Sequence, residues 1–286
     1  MDSESQFWGK EAFFLGHVAI EPAGEAVPEF NVTQRIYCID ASAGEKRNIS
    51  VLEKMAEVAY RCFEMTISLI ALIVTMPIML LIALIIKLDS PGPALFLQRR
   101  VARSRIIGGD ALLAGNRFNV LDQHVSPEKK YWVPETFCFV KFRSMYADAR
   151  QRFPEMYNYA YNKEEIEQVC FKMPEDIRVT RVGRFLRATT LDELPNFWNV
   201  LTGSMRLVGP RPEIPEMLPN YRPDQMRKFT VKPGITGLPQ INGRGRLTFQ
   251  QTVNYDLEYV DTRSLALDIK VLIATAWKVI IRHGAF

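Results

Sequence analysis

The feature that most constrains this chain is an uncharged apolar run of 22 residues, 65–86. A helix of that length would span a hydrocarbon core of about 30 Å. Pro77 lies near its middle, where proline removes a backbone donor and crowds the preceding turn. As helices, the two halves rise about 18 and 14 Å, each roughly half of the core. The run predicts either a re-entrant helix-break-helix or a spanning helix that is kinked at Pro77, since kinked spans are tolerated.

Charge is unevenly distributed along the chain. Residues 1–50 hold eight acidic and four basic residues, so they contribute −4 to a formal net charge of +4 and the remainder carries +8. Basic residues flank the apolar run on both sides, which sets no orientation for a span and is compatible with two cytoplasmic flanks. The positive remainder favours an anionic partner, such as a phosphate ligand or a lipid headgroup surface.

Two further segments are candidates for contact with the membrane surface. Charged residues and a serine recur at helical spacing across residues 53–68, which predicts an amphipathic helix that leads into the apolar run. Residues 265–282 are largely apolar with one narrow polar stripe, which fits either a helix sunk in the headgroup layer or an amphipathic core helix. The polar residues of that stripe are Asp268, Thr275, Lys278 and Arg282.

The densest cluster of candidate functional residues lies within 184–213. Thr190-x-x-Glu193 fits a helix capping box that places Asp192 in the first turn, where the helix dipole favours an ionised carboxylate. Such a carboxylate can attack phosphorus, and Glu193 beside it could bind Mg²⁺, which prefers oxygen ligands. The alternative is that both acids only cap a helix.

Two rigid stretches follow this cluster. Two prolines lock the backbone on either side of Arg211 in the sequence GPRP, so the loop either presents a guanidinium to phosphate or uracil or is a plain turn with a solvated arginine. Residues 232–237 (KPGITG) and 242–245 (NGRG) form a second, glycine-rich stretch whose backbone amides could approach an anion. The sequence has no HExxH, CxxC, GxxxxGK[ST] or GxGxxG motif, which argues against a histidine-built zinc site, a zinc ribbon, a P-loop and a Rossmann domain.

Six segments occur in one order: LALIIKLDSPGPALFLQRR, KFRSM, FLRATTLDELPNFWNVLTGSMRLVGPRPE, KPGITGLPQINGR, SLALDIKVL and HGAF. Together they resemble the bacterial sugar transferase family, the monotopic polyprenyl-phosphate phosphoglycosyl transferases. The resemblance covers about residues 50–286, except for an insert or long loop at 103–136. The chain departs from the family at that insert and at Arg206, where serine is common.

The resemblance implies a re-entrant membrane segment, broken at Pro77, with both ends in the cytoplasm. It also implies transfer of a sugar-1-phosphate from a UDP-sugar to undecaprenyl phosphate with release of UMP. Asp192 would be the covalent nucleophile, and Glu193 would bind the Mg²⁺ cofactor. The residues that match the family's substrate-binding positions are Lys141, Arg187, Arg211, Arg244 and Asp268.

The expected fold is therefore α+β and mainly helical, with a re-entrant helix-break-helix segment, interfacial amphipathic helices and a small cytosolic catalytic domain. We expect an N-terminal soluble extension (1–50), an interfacial and membrane segment (51–90) and a catalytic domain (91–286) at the bacterial inner membrane. The expected partners are a UDP-sugar, undecaprenyl phosphate and membrane lipids, with no nucleic acid. The reaction would initiate surface polysaccharide or glycoconjugate synthesis.

Two other functions stay open at this point. A non-catalytic membrane-anchored assembly protein could use the same fold as a platform, and it would release no UMP from any donor. A spanning glycosyltransferase would transfer the sugar alone and release UDP, but the sequence contains no DxD metal motif to support it.

Overall fold

The computed structural model describes residues 37–39, 51–114, 125–170, 175–243 and 246–280, all within the compact unit Val32–Phe286. Most of the predicted N-terminal extension, part of the predicted insert and the end of the predicted C-terminal helix lie outside the described residues. What is described is a mixture of helix and strand in which helix predominates, so the prediction of a mainly helical chain with some sheet is confirmed.

The helices are α1 (Val51–Asp89), α2 (Gly109–Ala114), α3 (Ala149–Arg152), α4 (Lys163–Gln168), α5 (Arg181–Thr189), α6 (Asn196–Leu201), α7 (Leu238–Asn242), α8 (Phe249–Thr262) and α9 (Leu265–Ile280). The strands are β1 (Tyr37–Ile39), β2 (Leu95–Val101), β3 (Arg105–Gly108), β4 (Lys130–Val133), β5 (Thr136–Phe142), β6 (Arg206–Val208) and β7 (Gly234–Thr236). Short 3₁₀ helices lie at Pro154–Tyr157, Leu191–Glu193, Pro215–Asn220 and Pro223–Thr230.

Helix α1 contains the apolar run. Among the described residues it is the one helix that is long and apolar enough to cross a membrane, judged by length and composition. Pro77 lies inside α1 and the helix does not end there, so the predicted break into two helices is wrong. The hydroxyl of Thr75 donates to the carbonyl of Ala71 at 2.7 Å, which adds a hydrogen bond to the turns next to Pro77. Side-chain bonds and local adjustment of this kind allow a proline inside an apolar helix.

Both ends of α1 are attached to the rest of the described chain. In its first half, the buried carboxylate of Glu64 accepts a hydrogen bond from the backbone of Leu207 at 2.9 Å. At its end, Asp89 accepts one from the backbone of Val182 at 3.3 Å. Between these anchors, residues 69–81 carry a series of exposed leucine, isoleucine, valine and methionine side chains. The apolar surface of α1 is therefore concentrated between two attachment points on the same body.

Two small sheets frame the region of the predicted site. Strands β2 and β5 are antiparallel, and their register runs from Leu95 opposite Phe142 to Val101 opposite Thr136. Strands β6 and β7 are parallel, with Val208 opposite Thr236. Elements β5, α6, β6, α7, α8 and α9 share one hydrophobic core, whose buried members are Phe139, Val200, Met205, Leu207, Val208, Leu238, Tyr259 and Val271.

The predicted insert, residues 103–136, contains β3, α2 and β4 rather than only a loop. Strand β4 lies between β3 and β1 and is antiparallel to both. Strand β1 comes from residues 37–39, which the sequence analysis assigned to the N-terminal extension. Part of that extension therefore pairs with the insert, while the predicted domain boundaries themselves stay predictions.

The described polar residues of the α9 stripe face the protein, and Arg282 lies outside the described residues. Asp268 is buried, and the hydroxyl of Thr275 lies 2.7 Å from that of Thr236. The ammonium of Lys278 donates to the carbonyl of Ile241. The helix thus contacts the core on one side and carries on the other an exposed apolar row that a buried core helix would not have. That row contains Leu265, Ile269, Ile273 and Trp277.

Candidate active site

The predicted carboxylate pair lies in the 3₁₀ turn Leu191–Glu193, between α5 and α6. Thr190 ends α5 with a φ of 59°, the one positive φ of a non-glycine residue in the described part of the chain. Its hydroxyl donates to the carbonyl of Thr189 at 2.6 Å and makes no capping bond, so the predicted capping box is wrong. Thr190 is nevertheless the N-cap residue of the 3₁₀ turn, and Asp192 lies in its first turn as predicted, although α6 itself begins only at Asn196. The left-handed residue terminates α5 and redirects the chain before the two acids.

Asp192 is buried, with 7% of its surface exposed, and two cations interact with its charge. Burial lowers the pKa of Lys141, on β5, to about 8, and the negative charge of Asp192 opposes that shift. Burial also lowers the pKa of Arg187, on α5, and Asp192 again opposes it. Two cations within the field of one buried carboxylate can accept a phosphate group beside that carboxylate.

Arg187 is held in place by side chains outside the predicted set. Its Nε donates to the hydroxyl of Ser144 at 2.9 Å, and its Nη1 lies 3.8 Å from a carboxylate oxygen of Asp176. Burial tends to raise the pKa of Asp176, but the hydrogen bonds from Arg178 bring it below the ordinary value. Gly183 lets α5 approach closely, because a Cβ there would lie 1.9 Å from the carbonyl oxygen of Ser144. The orientation of Arg187 therefore depends on contacts that fix α5 as well as on its own hydrogen bonds.

A cleft lies beside the carboxylate turn and brings three predicted residues together: Lys141, Glu193 and Arg211. The ammonium of Lys141 lies 5.5 Å from the centre of the Phe96 ring, across the β2–β5 pair. The other residues that line the cleft are Arg100, Phe139, Asn196, Met205, Pro212, Gly234, Ile235 and Gln240. Cations, a carboxylate and an aromatic ring thus share one surface, which suits a phosphate-bearing substrate with a neutral polar part.

The backbone of the GPRP loop is fixed while the side chain of Arg211 is exposed. The Arg211 amide donates to a carboxylate oxygen of Asp256 at 3.3 Å, and the Gly234 amide donates to the carbonyl of Pro210 at 2.9 Å. A Cβ on Gly234 would lie 2.1 Å from the nitrogen of Gly209, so only glycine allows β7 to approach this loop. These contacts agree with the predicted fixed backbone, and the binding of phosphate by Arg211 stays a prediction.

Arg100 is a functional candidate that was not among the predicted site residues. It lies on the same face of the β2–β5 pair as Lys141, and its guanidinium is 5.4 Å from the centre of the Phe139 ring. Its Nη1 donates to the carbonyl of Pro212 at 3.2 Å. Burial lowers its pKa to about 10, and the charge of Glu213 opposes this shift. The alternation of side chains along a strand was the available signal, since it places Arg100 and Lys141 on one face once the two strands are paired.

Asp268 does not line the cleft. It is buried on α9 and accepts a hydrogen bond from the hydroxyl of Tyr259 at 2.8 Å, and that hydroxyl lies 3.2 Å from the carbonyl of Val208. Burial raises the pKa of Asp268, and the bond from Tyr259 opposes this shift. Through Tyr259 the carboxylate of Asp268 is linked to the backbone of β6. This position does not indicate a direct contact between Asp268 and substrate. Arg244, the remaining predicted cation, lies outside the described residues.

Arg206 connects the membrane helix to β6. Its Nε lies 3.3 Å from the buried carboxylate of Glu64, and its Nη1 lies 3.1 Å from the exposed carboxylate of Glu57. Its guanidinium is 4.9 Å from the centre of the Tyr60 ring. The three partners lie on one face of α1, so the residue that departs from the family pattern is a direct contact between α1 and the strand that precedes the GPRP loop.

A metal site made only of protein side chains is absent from the described residues, where no three histidine, cysteine or acidic side chains come together. Mg²⁺ is usually held by one or two carboxylates together with water and substrate phosphates. Asp192 and Glu193 are adjacent, and Glu193 lines the cleft with the cations. The pair therefore fits Mg²⁺ that is shared with the phosphates of a substrate.

The structure combines a cleft lined by cations with a long apolar helix, and sequence comparison assigns the class. A model of bacterial sugar transferases matches residues 55–107 and 128–282, so the chain belongs to the bacterial sugar transferase family. The gap between the two matched segments falls within the predicted insert. The resemblance found in the sequence is thereby confirmed.

Three relatives illustrate the range of similarity. The undecaprenyl-phosphate galactose phosphotransferase of Salmonella typhimurium is 31% identical over 287 residues, which cover 99% of this chain and 54% of that protein. The undecaprenyl-phosphate glucose phosphotransferase of Komagataeibacter xylinus is 35% identical over 237 residues, 79% of this chain and 36% of that protein. The galactosyl transferase CpsE of Streptococcus agalactiae is 34% identical over 229 residues, 80% of this chain and 43% of that protein. The chain thus spans between 36% and 54% of the length of these relatives.

Proposed function

We propose that this protein transfers a sugar-1-phosphate from a UDP-sugar to undecaprenyl phosphate, releases UMP and initiates bacterial surface polysaccharide or glycoconjugate synthesis. The observation that carries the proposal is the buried carboxylate of Asp192, next to Glu193 and within the electrostatic reach of Lys141 and Arg187. The names of two relatives, which describe transfer to undecaprenyl phosphate, support the acceptor.

In the first step a carboxylate oxygen of Asp192 attacks the sugar-proximal phosphorus of the donor. The bond from that phosphorus to the bridging oxygen breaks, and UMP leaves with the electron pair. Lys141, Arg187 and Arg211 neutralise phosphate charge, which is most of what phosphoryl transfer requires of a protein. Bound Mg²⁺, held by Glu193, would supply further charge neutralisation at the diphosphate.

In the second step a phosphate oxygen of undecaprenyl phosphate attacks the same phosphorus. The bond to Asp192 breaks, its carboxylate is regenerated, and the product is a polyprenyl-diphosphate sugar. One carboxylate thus serves a soluble donor and a lipid acceptor in turn, which predicts ping-pong kinetics.

Helix α1 enters the membrane, in our proposal, as one helix that is continuous through Pro77, dips into the cytoplasmic side of the inner membrane and keeps both ends on that side. The support is that both Glu64 and Asp89 contact the body that carries the cleft, while residues 69–81 between them expose apolar side chains. A straight span would place one end of the apolar run across the bilayer from that body.

Helix α9 would lie in the headgroup layer at the same surface. Its polar residues contact the protein, and Ile269, Ile273 and Trp277 point away from it. Exposed aliphatic residues with a tryptophan near the helix end suit insertion among lipid headgroups and upper acyl chains.

The membrane arrangement is tested by cysteine labelling in a background whose native cysteines are serine. With Lys54→Cys and Lys87→Cys made separately, a re-entrant helix leaves both positions unreactive to an impermeant maleimide outside the cell. Labelling of either one from outside would contradict the arrangement.

The chemistry is tested with the full chain in vesicles that contain undecaprenyl phosphate, Mg²⁺ and one UDP-sugar of a panel. We expect UMP release from at least one donor, and no release with Asp192→Asn. With donor alone, the wild-type protein should gain the mass of one sugar phosphate at Asp192. Turnover by Asp192→Asn, or release of UDP in place of UMP, would refute the covalent route.

A further inference from the structure

Three side chains that line the cleft each leave a buried polar atom without a hydrogen-bond partner among the described residues. These atoms are Nε of Arg100, Oδ1 of Asn196 and Oε1 of Gln240. Asn196 is 1% exposed, so its amide reaches the cleft from an almost fully buried position. Buried polar groups are nearly always paired in folded proteins, and an unpaired one costs about 1–3 kcal/mol. Their concentration in one cleft indicates a ligand that completes them.

The charges around these atoms narrow the chemistry of that ligand. Arg100, Lys141 and Arg211 line the same cleft and suit a phosphate or diphosphate. The carbonyl oxygens of Asn196 and Gln240 need a hydrogen-bond donor, which an ionised phosphate does not supply. The ligand must therefore combine phosphate with hydroxyl or N–H groups.

The two substrates of the proposed reaction differ in this respect. A nucleotide sugar carries sugar hydroxyls on one side of its diphosphate, and ribose hydroxyls and a uracil N–H on the other. Undecaprenyl phosphate carries only hydrocarbon next to its phosphate. The unpaired amide oxygens therefore match the donor and have no counterpart in the lipid acceptor.

We propose that Asn196 and Gln240 are specificity-determining residues that accept hydrogen bonds from the neutral polar groups of the nucleotide-sugar donor. The inference rests on the proposed function, because that function supplies a donor of this chemistry. A site built to hydrogen-bond a hydroxyl or N–H group rejects an analogue that lacks it, since the buried amide is then left unpaired. Both the transferred sugar and the uridine carry groups of the required chemistry, and the experiment below separates these two parts of the donor.

The test uses the full chain in vesicles and two substitutions. Gln240→Met keeps the length of the side chain and removes its amide, and Asn196→Leu does the same at the more buried position. The matched control is Gln151→Met, the same change on an exposed residue of α3. If Asn196→Leu does not fold, as judged by circular dichroism, Gln240→Met alone decides the outcome.

We expect each cleft variant to raise the KM for the UDP-sugar about tenfold, the effect of one lost hydrogen bond to a substrate. The KM for undecaprenyl phosphate should be unchanged, and the control should match wild type. An equal weakening of inhibition by UMP assigns the contact to the uridine part of the donor. Unchanged inhibition by UMP with an altered preference between UDP-glucose and UDP-galactose assigns it to the sugar. A change of less than twofold in donor KM, or an effect confined to the acceptor, would overturn the inference.

Calorimetry with UMP and a UDP-sugar keeps this inference separable from the proposed reaction. If wild-type protein binds the UDP-sugar but releases no UMP, the reaction is wrong, and weaker binding by Gln240→Met would still support the amide contact. If wild type releases UMP and Gln240→Met binds the UDP-sugar as tightly, only the amide contact is wrong. If wild type binds no UDP-sugar, both fail.

Discussion

The ammonium of Lys228 lies 3.0 Å from a carboxylate oxygen of Asp256, and both side chains are buried. The other oxygen of Asp256 accepts the backbone hydrogen bond of Arg211 at 3.3 Å. A buried ion pair therefore holds the loop that presents Arg211 to the cleft. Such pairs add little net stability, because the cost of desolvation offsets their attraction, so its consequence here is the position of the loop.

Breaking this pair should be costly. Lys228→Met leaves the Asp256 carboxylate buried without its partner, which we expect to destabilise the protein by about 3–5 kcal/mol in chemical unfolding. The matched control is Arg227→Ala, because the 2.8 Å pair of Arg227 with Asp261 is exposed and such pairs are worth at most about 1 kcal/mol. Equal losses from the two variants would contradict the importance of the buried pair.

The pH dependence of kcat/KM for the donor should reflect the ionisation of Lys141. Its pKa of about 8 means that the ammonium is present below that pH and is lost above it. If Lys141 neutralises donor phosphate, kcat/KM for the donor falls as pH rises through about 8. The fall in kcat should come at higher pH, because bound phosphate favours the charged form. Lys141→Arg should move the descending limb upward, and an unmoved limb would assign it to another group.

The contact between the membrane helix and β6 should depend on the buried partner of Arg206. Glu64→Gln removes the charge of a fully buried carboxylate, whereas Glu57→Gln removes one whose side chain is 60% exposed. Hydrogen bonds to buried charged groups are worth about 1.5–3 kcal/mol and exposed pairs about 0–1. Thermal unfolding in detergent should therefore show a clear decrease in Tm for Glu64→Gln only. The reverse order would place the anchor at Glu57.

Insertion of α9 into the membrane surface should depend on its exposed row. Ile273→Glu places a charge where we propose contact with acyl chains, so binding to vesicles should weaken in a flotation assay. Helix α1 remains as an anchor, so partial release is expected. The control Ile177→Glu makes the same change at a comparably exposed isoleucine away from α9. Equal release by both variants would remove α9 from the interface.

The sequence predicted which side chains line the cleft more accurately than it predicted the backbone conformation next to them. Lys141, Glu193 and Arg211 do line one cleft, and the rigidity of the GPRP loop follows from its prolines. The prediction of a capping box was wrong because the spacing from Thr190 to Glu193 also fits a chain that turns through a left-handed residue at Thr190. Residue types at a given spacing do not determine the sign of φ, which depends on the elements packed on either side.

Long-range packing accounts for the other differences. Asp268 accepts a hydrogen bond from Tyr259 beneath β6, and the sequence does not indicate which tyrosine would make this bond. Proline at position 77 is compatible with a broken or a continuous helix, and the structure has the continuous one. The amides of Asn196 and Gln240 carry no motif of their own, and only the cleft brings them together.

The pairing of β1 with β4 has a consequence for how this chain could be shortened. Residues 37–39 lie outside the family match, yet they pair with β4, which lies inside its second segment. Deletion of the insert alone would remove β4, the strand that pairs with β1. The exposed strand edge that remains would favour aggregation. The two segments should therefore be removed together or kept together, so a shortened version of this protein needs paired deletions.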